Sequence, residues 1–566
     1  MKESIKKSIK KAIEQLQSKQ VWGDFVIPEV IVERPKDLSH GDWMTNIAFV
    51  LAKELKKAPL DIAEELAGAI EKDKNVESVD VVQPGYVNFI LVGDVVNQEL
   101  KKIVTDGDVY GKNNNLDGKK IMVEYTQPNP FKPFHIGHLM SNTIGESVSR
   151  IVEFSGASVI RANYQGDVGP HVAKAIWGLK KLGYEPTDIN KIGEAYAYGH
   201  AASENDEKVQ SEIQEINKII YQRSDESLMK IYEEGREKTL ERFEEIYAIL
   251  GTSFDQYFFE SETWQRGEDV VRAHIGDVFE KSDGAVIFPG EKYGLHTRVF
   301  ITAQGLPTYE AKEIGLALLK KEKNSADIYI ITTAVEQEEY FKVVKKAIEL
   351  IDPSFEGKIT HVAHGMMQLT SGKMSSRKGN VVTGELLIEN AQNVARKKMS
   401  DRVKGVKNSE NIINTIAVAG IKFSILKQRS GKNIIFNPET ALSFDGDSGP
   451  YIQYTYARCQ SIIQKAIKNN IEMKFSSEDR DGYEMQKILA QFGEVVLRAS
   501  EELAPHHISN YLLDVAHAYN VYYTNNVIID VKDQKRSQYR IALTVATAQI
   551  IKNGMNLLGI DVPEKM

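Results

Sequence analysis

The stretch from Ile121 to Ala162 constrains the fold more than any other, because the elements it encodes can be joined in very few ways. Ile121–Tyr125 (IMVEY) is a short apolar run of the kind that forms a buried strand. The residues behind it, TQPNPFKP, carry three prolines, which remove backbone donors and break regular structure. A helix is predicted next, from about His138 to Phe154, with Leu139, Ile144, Val148, Ile151 and Val152 on its buried side. Ser155 and Gly156 stop it, and Ala157–Ala162 reads as the following strand. A strand, a turn, a helix and a second strand at this spacing make a β–α–β unit, the opening of a doubly wound, Rossmann-like α/β domain.

The rest of the chain flanks that unit. Its 566 residues suffice for about three to four domains with large cores. Residues 1–110 read as a small α+β domain: Pro28–Val32 is extended, Asp42–Leu55 is helical, and Val76–Val82 and Tyr86–Leu91 are strands joined through Gln83, Pro84 and Gly85. The run Asp106–Lys120 has the Gly, Asn and Asp content of a linker. Within 111–444, the long, charged segment Tyr184–Leu250 is helical and is expected to be an insertion into the α/β domain. Strands resume at Gly284–Phe288, Arg298–Thr302 and Ile328–Thr332. Residues 445–566 form an all-α domain, with helices at Ser448–Lys465, Tyr483–Leu503 and Ile508–Tyr523.

Composition then removes whole classes of function. No apolar stretch approaches the roughly 18 residues of a membrane span. The amphipathic start MKESIKKSIKKAIEQLQ lacks the apolar core of a signal peptide, so a cytoplasmic location is expected. The single cysteine, Cys459, excludes an intrachain disulfide and any zinc site built from several cysteines. The formal net charge of −8 argues against indiscriminate coating of nucleic acid. It leaves room for a specific RNA, contacted through local clusters such as Lys373, Arg377 and Lys378.

Two segments carry the chemistry. His135, Ile136, Gly137 and His138 (HIGH) stand at the strand-to-helix junction, where unpaired backbone N–H groups and the helix dipole favour a phosphate. Imidazoles there can donate to phosphoryl oxygens as charge develops. Gly137 leaves backbone open to a flat adenine ring, and Lys132 lies just upstream. About 235 residues on, Lys373, Met374, Ser375, Ser376, Arg377 and Lys378 (KMSSRK) combine cations and hydroxyls in a loop suited to clamping a polyphosphate.

In this order the two segments resemble the signature pair of class I aminoacyl-tRNA synthetases. Further stretches resemble the arginyl-tRNA synthetase family in particular: YTQPNPFKPFHIGHLMSNTIGE (125–146), NYQGDVG (163–169), LGTSFDQYFFES (250–261), GLPTYEAKEIGLA (305–317), GDSGPYIQYTYAR (446–458) and NGMNLLGIDVPEKM (553–566). The resemblance runs from about residue 28 to the last residue. It implies ATP, brought in with Mg²⁺, L-arginine and tRNA(Arg) as substrates, no tightly bound cofactor or resident metal, and a monomer. Activation would precede transfer to the 2′-hydroxyl of the terminal adenosine, commonly with tRNA already bound.

Carried over residue by residue, the resemblance assigns ATP to His135, Gly137, His138, Lys373 and Met374, with Lys132, Ser375, Ser376 and Lys378 sharing the phosphate work. Gln127, Asn129 and His138 would orient the backbone of arginine, while Glu260, Tyr309, Glu313 and Gln337 would line its side-chain pocket. A planar, permanently charged guanidinium needs such carboxylates in fixed geometry. Tyr309 and Glu313, four residues apart, would share a helix face. In the N-terminal domain Tyr86 and Asn88 would contact the tRNA elbow. The C-terminal helices would read the anticodon, with Tyr519 and Asn520 as candidates.

Three departures stand out: Glu313 replaces the usual Asp, Tyr340 stands where His is common, and KMSSR lacks the second lysine of KMSKS. A class I synthetase for another cationic amino acid, such as lysine, and a tRNA-binding paralogue without catalysis remain the alternatives.

Overall fold

The computed structural model describes residues 1–35, 37–370, 383–400, 409–475, 482–530 and 532–566. The N-terminal unit opens with α1 (Lys2–Ser18), whose buried Ile5, Ile9, Ala12, Ile13 and Leu16 recur at helical spacing. A three-stranded antiparallel sheet follows, in the order β1 (Trp43–Thr45), β3 (Tyr86–Leu91), β2 (Val76–Val82). Helices α2 (Ile47–Leu55) and α3 (Pro59–Ala69) cover it. One expectation fails here, since Asp42–Leu55 is not a single helix. Trp43–Thr45 pairs with Val87–Phe89 instead, Asp42 accepts the Leu91 N–H at 2.7 Å, and Thr45 Oγ1 donates to Ile31 O at 2.7 Å. Those sheet contacts outweigh the helical propensity of the segment, and the helix begins only at Ile47.

After α4 (Gly93–Asp106) comes the central sheet, all parallel, in the order β11-β10-β4-β5-β6. Its strands are β4 (Lys120–Glu124), β5 (Ser158–Gln165), β6 (Gln256–Phe259), β10 (Ile328–Ala334) and β11 (Ile359–His364). The order reverses between β4 and β10, and a doubly wound sheet binds ligands in the crevice at such a switch point. Helix α5 (Ile136–Phe154) leaves the carboxyl end of β4 and is buried on most sides. It approaches the strand closely at Gly145, where a Cβ would lie 2.2 Å from Cβ of Tyr125.

The predicted helical insertion connects β5 to β6 through α6 (Pro170–Leu182), α7 (Ile189–Asn205), α8 (Glu207–Gln222) and α9 (Glu226–Leu250). Beyond α10 (Glu260–Ala273), β7 (Glu280–Ser282), β8 (Ala285–Phe288) and β9 (Arg298–Ile301) form their own antiparallel sheet and do not extend the central one. Helices α11 (Tyr309–Asn324) and α12 (Glu338–Ile351) flank β10 in sequence. A parallel pair, β12 (Met367–Leu369) and β13 (Ile434–Phe436), spans α13 (Gly384–Met399) and α14 (Ser409–Leu426).

The remainder is helical: α15 (Pro438–Ala441), α16 (Gly449–Lys468), α17 (Tyr483–Leu489), α18 (Phe492–Glu501), α19 (His506–Asn525) and α20 (Gln534–Leu557). The segment expected as one helix over Tyr483–Leu503 is therefore two. Helix α14 shares a core with α16 and α19, and Ser509 Oγ donates to Leu426 O at 3.1 Å. No helix among the described residues is long and apolar enough to cross a membrane.

Candidate active site

The loop between β4 and α5 is built under strain. Thr126, Gln127 and Phe131 take left-handed backbone angles, with φ of 79°, 53° and 66°, a conformation that costs a non-glycine residue about 1 kcal/mol or more. The surroundings over-determine it. Thr126 N–H donates to Ser141 Oγ at 2.9 Å, Asn142 Nδ2 donates to Thr126 Oγ1 at 3.0 Å, and Gln127 N–H donates to Asn163 Oδ1 at 3.2 Å. Phe131 is fully buried against Tyr232 of α9, and a Cβ on Gly235 would sit 2.5 Å from its ring.

The loop delivers His135 to the N-cap of α5, where it and His138 cap each other. His138 N–H donates to His135 Nδ1 at 3.4 Å, His135 N–H donates to His138 Nδ1 at 3.2 Å, and the rings stack with centroids 3.4 Å apart. With both Nδ1 lone pairs occupied, each neutral ring carries its proton on Nε2. Burial, and next the charge of Lys132, lowers the pKa of His135 to about 4. Burial and then His135 push His138 well below its ordinary value. The pair is uncharged at pH 7 and presents two Nε2–H donors beside the free N–H groups of the helix start. Glycine at 137 also suits the histidine pair, since a Cβ there would lie 2.9 Å from Cε1 of His135 itself. Lys132, half-buried, holds its ammonium 5.5 Å from the ring of Tyr196 in α7.

Carboxylates gather on the other side of the loop. Asn129 Oδ1 accepts the Gly166 N–H at 3.1 Å, and a Cβ at Gly166 would start 2.6 Å from that oxygen and 3.4 Å from Cδ of Glu260. Asn129 and Glu260 thus close on the same point. Buried Glu260 accepts from Lys312 Nζ at 3.1 Å, and Lys312 also donates to Tyr221 OH at 3.2 Å. Burial works against the charge of Lys312, but Glu260 and Tyr221 outweigh it and its pKa is raised. Gln127 Nε2 donates to Glu124 Oε1 at 2.5 Å, and Glu124 pairs with buried Lys320. Glu313 takes no hydrogen bond or ion pair among the described residues. Burial, then the neighbouring charge of Glu124, lifts its carboxyl above the usual range. Tyr340 is buried edge-on to Phe341 and kept neutral by burial and by Glu313.

The sequence-predicted set is therefore partly assembled. Gln127, Asn129, Glu260 and Glu313 converge, whereas Tyr309 stands at the rim, 62% exposed, and Gln337 lies exposed on the turn after β10. Glu124, Lys312 and Lys320 were not foreseen. A signal for Glu124 existed, since a lone carboxylate inside an apolar strand needs a partner. Lys373, Met374, Ser375, Ser376 and Lys378 lie outside the described residues. The residues that follow them are pinned to the histidine motif: Thr383 bridges His135, and Gly384 N–H donates to Phe134 O at 2.6 Å.

The RNA-contact candidates lie at different depths. Asn88 is buried, and its amide donates to His40 O at 2.9 Å inside the N-terminal sheet. Tyr519 is fully buried and bonds Thr544 Oγ1 at 3.1 Å. Asn520 ties α19 to α16, donating to Tyr451 OH and Thr455 Oγ1 at 2.9 Å each and accepting from Arg458. Tyr519 is wholly given to packing, whereas Asn520 is only half-buried and Asn88 Oδ1 has no hydrogen-bond partner among the described residues. Tyr86 is half-buried, with its ring 4.9 Å from that of Phe49.

A parallel sheet whose first crossover helix is capped by paired histidines at the switch point is the catalytic arrangement of class I aminoacyl-tRNA synthetases. Residues 99–438 match the family described as "tRNA synthetases class I (R), catalytic domain". Residues 3–91 match "Arginyl tRNA synthetase N terminal domain", and residues 452–566 match "DALR anticodon binding domain". The chain belongs to the arginyl-tRNA synthetase family. It is 32% identical to the arginine–tRNA ligase of Clostridium perfringens, over 95% of this chain and 96% of that one. With the ligase of Clostridium botulinum strain Alaska E43 it shares 31%, over 98% and 100%. Among solved structures, Thermus thermophilus arginyl-tRNA synthetase superposes over the whole of both chains with a TM-score of 0.82 at 25% identity. The Plasmodium falciparum enzyme shares the fold, with a TM-score of 0.80 at 19% identity over 100% of this chain and 99% of that one.

Proposed function

We propose that the crevice between the histidine pair and Glu313 is where arginine meets ATP. The chain is an ATP-dependent arginine–tRNA ligase. A carboxylate oxygen of L-arginine attacks the α-phosphorus of ATP, the bond to the bridging oxygen breaks, and pyrophosphate leaves. The 2′-hydroxyl of the terminal tRNA adenosine then attacks the activated carbonyl, and AMP departs. No side chain need act as a nucleophile, because the reaction is one of positioning and charge stabilisation.

The Nε2–H groups of His135 and His138 donate to phosphate oxygens as charge builds up, and Lys132 contributes a nearby cation. Lys373, Ser375, Ser376 and Lys378 complete the phosphate grip, with Gly137 and Met374 against the adenosine. Mg²⁺ enters with ATP as part of that substrate. Asn129 and Gln127 orient the amino acid backbone, Glu260 and Glu313 receive the guanidinium, and Tyr309 and Gln337 close over it. One observation carries this reading: Glu313 is the pocket carboxyl that forms no ion pair among the described residues, and a guanidinium supplies that partner.

Residues 1–110 bind the tRNA elbow through Tyr86, and residues 445–566 read the anticodon. The exposed flank of α19, at Val521 and Tyr523, takes the place of Tyr519 and Asn520 there. The enzyme works as a cytoplasmic monomer. The test is charging of total tRNA with each labelled amino acid in turn, with Mg-ATP. Charging with arginine alone upholds the pocket; charging with lysine overturns it. Retained tRNA binding without any charging replaces catalysis by a binding role.

A further inference from the structure

The pocket contains more negative charge than one substrate can balance. Glu124, Glu260 and Glu313 reach it from β4, α10 and α11. Two buried lysines of α11 answer two of them: Lys312 pairs with Glu260, and Lys320 pairs with Glu124. What remains is Glu313, a carboxyl that burial and Glu124 push up to about 8 and that can ionise to meet a guanidinium. Lys320 follows Glu313 by two helical turns and so shares its face of α11. Both line a cavity of about 20 Å³, room for about one water, together with Ala317, Tyr329, Ile331, Phe341 and Lys345. Charges that share so small a space act on each other more strongly than they would in open water.

We propose that Lys320 is a tuning residue for substrate binding: its ammonium opposes the protonation of Glu313 and so sets the pH range over which the pocket accepts arginine. This rests on the reading of Glu313 as the guanidinium acceptor. The groups around Glu313 are Glu124 from β4, Tyr164 from β5, Glu260 from α10, Glu310, Lys312 and Lys320 from α11, and Tyr340 and Lys345 from α12. Burial and the surrounding carboxylates favour the protonated acid, and Lys320 is the cation that opposes them. Arginine binds the ionised form, so its kcat/KM falls as pH drops through the titration of Glu313. Removing Lys320 moves that fall to higher pH.

The experiment is the pH profile of kcat/KM for arginine, at saturating ATP and tRNA, in four variants. Lys320→Met is expected to shift the acid limb upward by about one pH unit or more, a loss of about tenfold on the original limb, with the ATP profile unmoved. Lys320→Arg restores the original limb. Glu124→Gln shifts it downward, because a negative neighbour is gone and Lys320 is released towards Glu313. A purely structural role would lower the plateau without moving the limb in opposite directions. Glu313→Gln separates the two ideas. If it abolishes the limb and weakens arginine while Lys320→Met leaves the limb in place, the tuning role is overturned and the acceptor stands. If Glu313→Gln binds arginine as the parent does, both fall. Should Lys320→Met fail to fold, an absent or upward shift in Glu124→Gln overturns the proposal.

Discussion

The pocket beneath α11 and the bundle around α19 both bury polar side chains, yet they treat them in opposite ways. In the bundle, the Asn520 amide is used up by Tyr451, Thr455 and Arg458, and the Tyr519 hydroxyl by Thr544. In the pocket, Glu313 has no such partner, and burial lifts its carboxyl out of the ordinary range. A polar group satisfied within the chain stabilises architecture. One held ready and left without a partner marks where a ligand supplies the rest. Residue type alone does not separate these cases; the partner list does.

The largest expected effect lies on the pocket side. His138→Ala should slow adenylate formation by about 10²–10³-fold, read by pyrophosphate exchange with tRNA present, while circular dichroism stays unchanged. Full turnover in that variant would remove the histidine pair from the chemistry. Glu313→Gln comes next, raising KM for arginine by about 10²-fold with KM for ATP unmoved. Equal losses for both substrates would erase the distinction drawn for the pocket.

Glu260→Gln should cost arginine binding about tenfold, and should also lower Tm, because Lys312 is left buried without its counter-charge. A binding loss at unchanged Tm would show that Lys312 finds another partner. On the bundle side, Asn520→Ala should destabilise the fold by about 1–3 kcal/mol, measured by denaturant titration, with little change in KM for tRNA. A selective rise in that KM would break the comparison. The last effect is thermodynamic. His135 is depressed to about 4 when folded, so the folded chain binds fewer protons than the unfolded one between about pH 6.5 and pH 4. Its stabilisation is present above that window and is lost as pH falls through it, by at most about 1.4 kcal/mol per pH unit. Stability that rises on acidification across this window would contradict a neutral pair.

Much of the fold could be read from residues alone. The apolar run at 121–125, the three prolines behind it and the stop at Ser155 and Gly156 act locally, and the structure follows them to within a residue or two at most ends. Trp43–Thr45 escaped because its strand exists only by pairing with Val87–Phe89, far along the chain. The site divides in the same way. HIGH announces itself by its place at a helix start, whereas Glu260 and Glu313 were identified only through family resemblance. Lys312 and Lys320 were invisible because their partners come from other elements. Helical spacing grouped Tyr519, Asn520 and Tyr523, but it could not say which of them faces the core.

Phe131 has one more consequence. Its ring is seated against Gly235, so α9 and the strained loop form one mechanical piece. Loop amides such as those of Thr126 and Gln127 should therefore exchange with deuterium in step with the middle of α9, as one cooperative unit, although more than a hundred residues separate them in sequence. Gly235→Ala, which drives a methyl into the ring, should loosen both together. The insertion then counts as part of the catalytic loop's frame, and its opening free energy is the loop's own.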